Sequence, residues 1–393
     1  MTDATQTELL SSPLVATRAS VRARGRYLFH PVTDFLLLGG GAAILMLPIA
    51  LFAPQGIGQP QQAFLVTALM ILINQPHFAH SYQIFYRNFR EKAFGTTHPR
   101  ALRIRYIIAG LAVPAALIAF LAGASLSGNV RVLAYGANLM FFLVGWHYVK
   151  QGYGIMIVDS VQKRIMFSER AKAVFRINGY ACWIVAWLGL NHAIATSNNY
   201  LGFAYFSLPI PQPIYWIGIA AAVCTTLATA WVLFQRWREA RATLPWNGVI
   251  AYLTTLYLWV VFVRINPLVL AIVPTFHSLQ YLAVVWRYQL NAGVQSGSKP
   301  SFLRHIWPTG PWSAIATFVA AGVLLGFLGF MGLPRLFDAV VPYDKHLYGG
   351  GLFLFVFYIF INVHHYFLDN VMWRRGNPDV QRYIFARAAA PSR

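Results

Sequence analysis

The chain has 393 residues, 58% of them hydrophobic and only 11% charged, with a formal net charge of +20. A charged fraction less than half of the roughly 25% usual in soluble domains excludes an ordinary soluble fold. The positive charge would point to nucleic acid on a soluble domain, but between apolar spans it is an orientation signal, so its placement decides.

Taken in chain order, the basic segment Arg18 to Arg26 is followed by His30, Pro31 and Asp34 and then by a full-length apolar helix. A removable signal would have a short apolar stretch and a small-residue cleavage site, so residues 1–30 are expected to be a cytoplasmic tail. Apolar stretches of about 20 residues, enough to cross a hydrocarbon core of about 30 Å, then recur at 33–53, 61–83, 102–124, 131–158, 173–195, 212–235, 246–264, 267–290, 312–333 and 347–374. Only Ile265 and Asn266 separate the seventh from the eighth, so these two could instead be one bent pair.

With the N-terminus inside, every lysine and arginine except Arg131, Arg264, Arg335 and Lys345 falls on the inner side or at an inner helix end. Short cytoplasmic loops require this bias. The expected fold class is all-α, a polytopic transmembrane helical bundle of about ten spans with both termini cytoplasmic, in a bacterial inner membrane. Residues 31–375 form the single membrane domain and 376–393 a second tail. The loops at 291–311 and 196–211 are too short for a soluble domain, and no internal repeat marks an inverted-repeat transporter. Cys182 and Cys224 lie in spans, where cysteine acts as a small hydrophobe, so neither a disulfide framework nor a thiolate site follows.

The chemistry lies in the histidines, because ionisable groups inside spans are expensive and face the bundle interior. His77, His80, His147, His192, His277, His364 and His365 fall within spans. At about 1.5 Å per residue, His77, His147, His277 and His364 sit about 24, 24, 15 and 26 Å from the outer helix ends, whereas His192 is near the outer face. Six histidines on spans two, four, eight and ten therefore share one layer, on helices that all run inward. A neutral imidazole suits iron, copper or zinc where a carboxylate would cost more to desolvate. The alternative is one interhelical hydrogen bond per histidine.

His77 and His80 share a helix face. His364 and His365 point about 100° apart, so one of the two is expected to bind metal. Asp369, one turn beyond His365, is placed to orient an imidazole or to pair with Arg374 or Arg375. Tyr281, four residues after His277, could hold a metal-bound water or serve as ordinary packing, and Gln280 faces roughly the same way. Spacing narrows the class further. The chain lacks the H-x-x-H-H boxes of diiron desaturases, and its glutamates Glu8, Glu91, Glu169 and Glu239 lie outside or at the rim of the spans, which excludes a carboxylate-bridged diiron site. A mononuclear centre with three or four histidines and an open position remains.

Four segments carry a resemblance: Gln75-Pro76-His77-Phe78-Ala79-His80, Trp146-His147-Tyr148, Phe276-His277-Ser278 running on to Val285-Trp286-Arg287, and His364-His365-Tyr366-Phe367-Leu368-Asp369. Their order resembles the histidine motifs of the Brp/Blh family, integral-membrane, iron-dependent β-carotene cleavage dioxygenases that yield retinal. That family has an early Pro-His, a second isolated His, a His-Ser with another His one turn later and a trailing Val-Trp, and a late His followed five residues on by Asp. The resemblance implies a metal role for His77, His147 and His277. The chain departs from the pattern at Tyr281, which stands where the third motif has its second histidine, and at Ser81 and Gly152, which replace acids. A fourth ligand must then come from His364 or His80. The expected function is that of a histidine-ligated non-haem oxygenase, with iron (Fe2+) as the leading metal and other transition metals open. Its substrate would be a carotenoid, retinoid or lipid-like molecule from the bilayer, with molecular oxygen as co-substrate and Tyr281 and Asp369 as catalytic groups. Membrane lipids are the expected surroundings, and nucleic acid is not an expected partner. A haem-binding electron-transfer protein and a proton-coupled transporter with a histidine relay are the alternatives.

Overall fold

Each apolar stretch of the sequence corresponds to one long helical run in the computed structural model, which describes residues 27–53, 60–193, 199–200, 203–204, 207–239, 244–266, 268–296, 311–374 and 376–385. The runs are α1 (31–52), α2 (60–86), α3 (Arg100–Leu126), α4 (Val130–Gln162), α5 (Glu169–Ala193), α6 (Gln212–Glu239), α7 (Trp246–Ile265), α8 (Leu268–Ser296), α9 (311–340) and α10 (Leu352–Met372). Seven of them, α3 to α7 and most of α9 and α10, are long and apolar enough by themselves to cross a membrane. The protein is an all-α polytopic helical bundle. Its one extended feature among the described residues is a two-stranded ladder pairing Asn199–Tyr200 with Phe203–Ala204.

The seventh and eighth spans are separate helices. Asn266 leaves the helical region (φ −143°, ψ 115°), its side-chain oxygen accepts the Leu268 N–H at 3.0 Å, and its amide donates to Ile49 O and Ala53 O of α1. One side chain thus ends α7, starts α8 and ties the junction to α1.

Proline explains why several runs are not regular. Pro76, Pro114 and Pro334 each lie two residues past a π turn, at 70–74, 108–112 and 328–332. Proline has no N–H to offer and its ring crowds the carbonyl four residues back. In each case the chain widens instead of breaking, with bonds that reach five residues back: Gln75 N–H to Met70 O, Val113 N–H to Ile108 O and Leu333 N–H to Leu328 O.

Burial separates an inner group of helices from an outer one. Over its most apolar window α10 is 56% buried, against 11% for α6, which packs on α5 at the outside and exposes Trp216, Ile217, Leu227 and Trp231. Helix α4 contacts α3, α5, α7 and α10, and α2 packs against α8, α9 and α10. The approach of α9 to α2 depends on Gly322 and Gly326, a small-xxx-small pair of the kind that lets membrane helices come together. A methyl group on Gly326 would lie 2.7 Å from the Gln75 backbone, and one on Gly322 would run into the His80 ring.

The segments expected to be tails are partly packed. Residues 1–26 and 386–393 lie outside the described residues. Leu28 is buried, and the Leu28 and Phe29 N–H groups donate to Asp34 at 2.6 and 2.9 Å. At the other end, Val380 and Ile384 join a core with Phe85, Tyr288 and Met372, and Asn377 donates to Tyr106 and to Met372 O.

Candidate metal centre

Helices α2, α4, α8 and α10 each bring one imidazole to the same point. The Nε2 atoms of His77 and His365 are 3.2 Å apart, those of His365 and His147 3.3 Å, and those of His147 and His277 3.1 Å. All four residues are buried. The rings meet edge to face, at 88° for His77 with His365 and 70° for His147 with His277. Tyr148 stacks on His277 with centroids 3.8 Å apart, and Tyr366 lies against His147 at 4.9 Å.

Asp369 completes the group. Its Oδ2 is 3.4 Å from His365 Nε2 and 3.7 Å from His147 Nε2, and its Oδ1 accepts the Tyr281 hydroxyl at 3.0 Å. The Ser81 hydroxyl in turn donates to the Tyr281 oxygen at 2.6 Å. Ser81, Tyr281 and Asp369 each follow a ring histidine by four residues. Since they also meet one another, α2, α8 and α10 run in the same direction. On α4 the corresponding residue is Gln151, whose amide donates to His277 O at 2.9 Å.

The sequence on the other side of each histidine is different in kind. Four residues before each histidine stand Ile73, Leu143, Val273 and Ile361. The centre therefore has a polar layer on the C-terminal side of its helices, and aliphatic residues occupy the i−4 positions in the sequence.

Two overlapping groups could hold a metal ion: His77, His277 and His365, and His147, His365 and Asp369. Metal–nitrogen bonds of about 2.0–2.1 Å place neighbouring nitrogens about 2.9–3.4 Å apart in tetrahedral or octahedral coordination, which matches the separations in the ring. Proton counting points the same way. His77 Nδ1 is 2.6 Å from Asn74 O, which can only accept, so the proton sits there and Nε2 presents a lone pair. Ser278 Oγ, 2.9 Å from the same nitrogen, helps to hold this tautomer. His365 Nε2 has two nitrogen neighbours and can carry one hydrogen, so hydrogen bonds alone satisfy the ring poorly. Nor does any lysine or arginine pair with Asp369 among the described residues, and its Oδ2 has no hydrogen-bond donor. A buried carboxylate is costly without a counter-charge, which a cation at the ring would supply.

No family model, curated protein or solved structure matches this chain. The reading of the site therefore stands on its own residues.

Of the residues singled out in the sequence, His77, His147, His277, His365, Tyr281 and Asp369 come together. His80 does not join them. Its Nδ1–H donates to Gln83 Oε1 at 2.8 Å and its ring stacks on Phe318 at 4.2 Å, filling the notch at Gly322. His364 is also turned away, with Nε2–H donating to Ala109 O at 3.0 Å and Nδ1 accepting from the Tyr82 hydroxyl at 2.9 Å. Both of its nitrogens are used, so it has no lone pair to offer. The fourth imidazole of the ring is thus neither His364 nor His80 but His365. The motif spacing of five residues to Asp369, which singles out His364, does not pick the ring member. Asp369 faces the histidines rather than Arg374, whose Nε donates to Asn370 O. Arg375 and the side chain of His192 lie outside the described residues. Gln280 points away from Tyr281 and donates to Leu38 O at 2.7 Å.

A signal in the sequence separates the ring members from their neighbours. Each of His77, His147, His277 and His365 has an aliphatic residue at i−4 and a polar one at i+4, whereas His80 and His364 are followed at i+4 by Ile84 and Leu368.

Proposed function

We propose that the protein is an integral-membrane, histidine-ligated non-haem iron oxygenase acting on a hydrophobic molecule. The observation that carries this reading is the ring of four imidazole nitrogens, with a carboxylate at its edge and the Tyr281 and Ser81 hydroxyls behind it. His77, His147, His277 and His365 would hold the metal, with Asp369 beside it. Imidazole with carboxylate is a donor set that suits iron, and neutral imidazoles suit a site where most ligands are shielded from water. When bound, iron would supply the activation of oxygen that no side chain of this chain can perform.

The protein's own groups do the rest. The burial of all four imidazoles keeps bulk water from the ring. Asp369 Oδ2 is the acceptor nearest the ring for a proton released there. Tyr281 donates to the other oxygen of that carboxylate and Ser81 fixes the tyrosine, so the acceptor keeps its orientation. The likeness to the Brp/Blh motifs makes a carotenoid or retinoid the leading substrate class, with a fatty or isoprenoid lipid next. The haem alternative fits less well, because a macrocycle needs its axial rings on opposite faces with a gap between them, and here the four imidazoles touch.

Elemental analysis of protein purified without added metal tests this reading, together with its absorption spectrum and oxygen uptake in vesicles containing β-carotene. One iron per chain, no Soret band and substrate-dependent oxygen uptake are expected. Protein with no stoichiometric transition metal would overturn the proposal.

A further inference from the structure

A second constellation lies about one turn beyond the ring, outside the metal centre. Lys150, on α4 three residues after His147, reaches Asn370 of α10, with Nζ donating to Asn370 Oδ1 at 2.6 Å. Arg374 turns back to the same residue, its Nε donating to Asn370 O at 3.0 Å. The indole of Trp146 lies under Lys150, with the ammonium 4.4 Å from the ring centroid. Arg105 lies in the first turns of α3, which pack against α10. Among the described residues no carboxylate pairs with any of the three. Lys150 and Arg105 are exposed and Arg374 is half-buried.

Like charges gathered on three packed helices repel one another, and here two of them are tied to a single asparagine rather than left to diverge. Such an arrangement is stabilised by an anion. A phosphate suits it, because a guanidinium offers it paired donors and an ammonium offers it a point charge. Placement narrows the source. The cluster sits at the membrane end toward which α4 and α10 run, where the basic residues of the chain gather, and basic recesses between helices at that level take anionic headgroups.

We propose that Lys150, Arg105 and Arg374 form a binding site for the phosphate of an anionic phospholipid headgroup in the groove between α3, α4 and α10. The bound lipid would lie beside the metal centre, with its acyl chains along the outer faces of α3 and α10. Asn370 follows Asp369 directly, so the headgroup and the ring are linked through adjacent residues of one helix. The site does not depend on which metal the ring takes or which substrate is oxidised.

The test uses the full-length protein, delipidated in a neutral detergent and titrated with phosphatidylglycerol, phosphatidylcholine or inorganic phosphate, with binding read by native mass spectrometry and by the rise in melting temperature. Phosphatidylglycerol is expected to bind and stabilise, phosphatidylcholine much less and inorganic phosphate only weakly. Each of Lys150→Gln, Arg105→Gln and Arg374→Gln should weaken phosphatidylglycerol binding by about fivefold, the effect of about one surface cation. Lys150→Arg should retain it, which separates loss of charge from loss of fold. Arg236→Gln, on the outer helix α6, should leave it unchanged. A triple glutamine variant that binds phosphatidylglycerol as tightly as wild type would overturn the assignment, as would equal stabilisation by phosphatidylcholine. Inorganic phosphate matching phosphatidylglycerol would overturn the lipid as its source.

Discussion

Replacing Tyr281 with phenylalanine removes one oxygen from the polar side of the ring and leaves the packing of the aromatic ring in place. In the native protein that oxygen accepts from Ser81 at 2.6 Å and donates to Asp369 Oδ1 at 3.0 Å. Asp369 Oδ2 has no donor of its own, so Tyr281→Phe takes from a buried carboxylate the hydroxyl that donates to its Oδ1. A hydrogen bond to a charged group contributes about 1.5–3 kcal/mol, and loss of a group that orients a metal-binding residue weakens metal affinity by about 10–100-fold. The two ranges agree, since each 1.4 kcal/mol is about a factor of ten. Ser81→Ala is the comparator: it removes a neutral hydrogen bond, leaves the tyrosine–aspartate contact intact, and should cost about 0.5–1.5 kcal/mol, less than about 13-fold. Competition for iron against a chromogenic chelator measures both variants, with circular dichroism to establish that each is folded. Folded Tyr281→Phe with wild-type iron affinity, or with an affinity equal to that of Ser81→Ala, would refute the coupling of the carboxylate to the centre.

The histidines divide into two groups with different outcomes. His277→Ala and His365→Ala should abolish stoichiometric metal, while His80→Ala and His364→Ala should keep it, and elemental analysis of the four purified variants distinguishes them. Gly326→Leu would force a side chain into the Gln75 backbone and should lower stability by about 1–3 kcal/mol, seen as a lower melting temperature and weaker metal retention, because α2 carries His77. Lys92, outside the spans, donates to Ile84 O and Phe85 O, and burial lowers its pKa from 10.5 to about 8. The unfolded chain then binds more protons than the folded one between about pH 8 and 10.5, so stability should rise across that window. Lys92→Met should flatten the rise, and melting curves at stepped pH would show it.

The helix pattern was legible because each span is a long apolar run bounded by polar loops, and the close junction at Ile265 and Asn266 resolved into two helices through hydrogen bonds to α1 that lie far away in sequence. The shared layer of histidines was legible from rise per residue alone. Membership of the ring was only partly so. His80 has the same helix face as His77 by spacing, but its direction is set by Gly322 and Phe318 on α9. His364 and His365 are adjacent, and which one turns inward depends on how α10 is rotated between α2, α3 and α4. The apolar residue at i−4 and polar residue at i+4 do distinguish them, because the i+4 position lies on the same helix face as the imidazole. The packing of residues 376–385 had no such signal, since Val380 and Ile384 are isolated apolar residues in a polar segment.

The wide turns before the prolines have a consequence for how this chain tolerates change. Residues 70–74 take an extra residue into one turn, and each residue added to or removed from a helix rotates everything beyond it by about 100°. Deleting one residue between Met70 and Asn74 would let the wide turn close to an ordinary α turn with His77 still in the ring. Deleting one from the regular helix before His365 would instead leave that span's length and hydropathy almost untouched while swinging the imidazole of His365 out of it. Two chains with indistinguishable hydropathy profiles can therefore differ in whether they possess a centre at all.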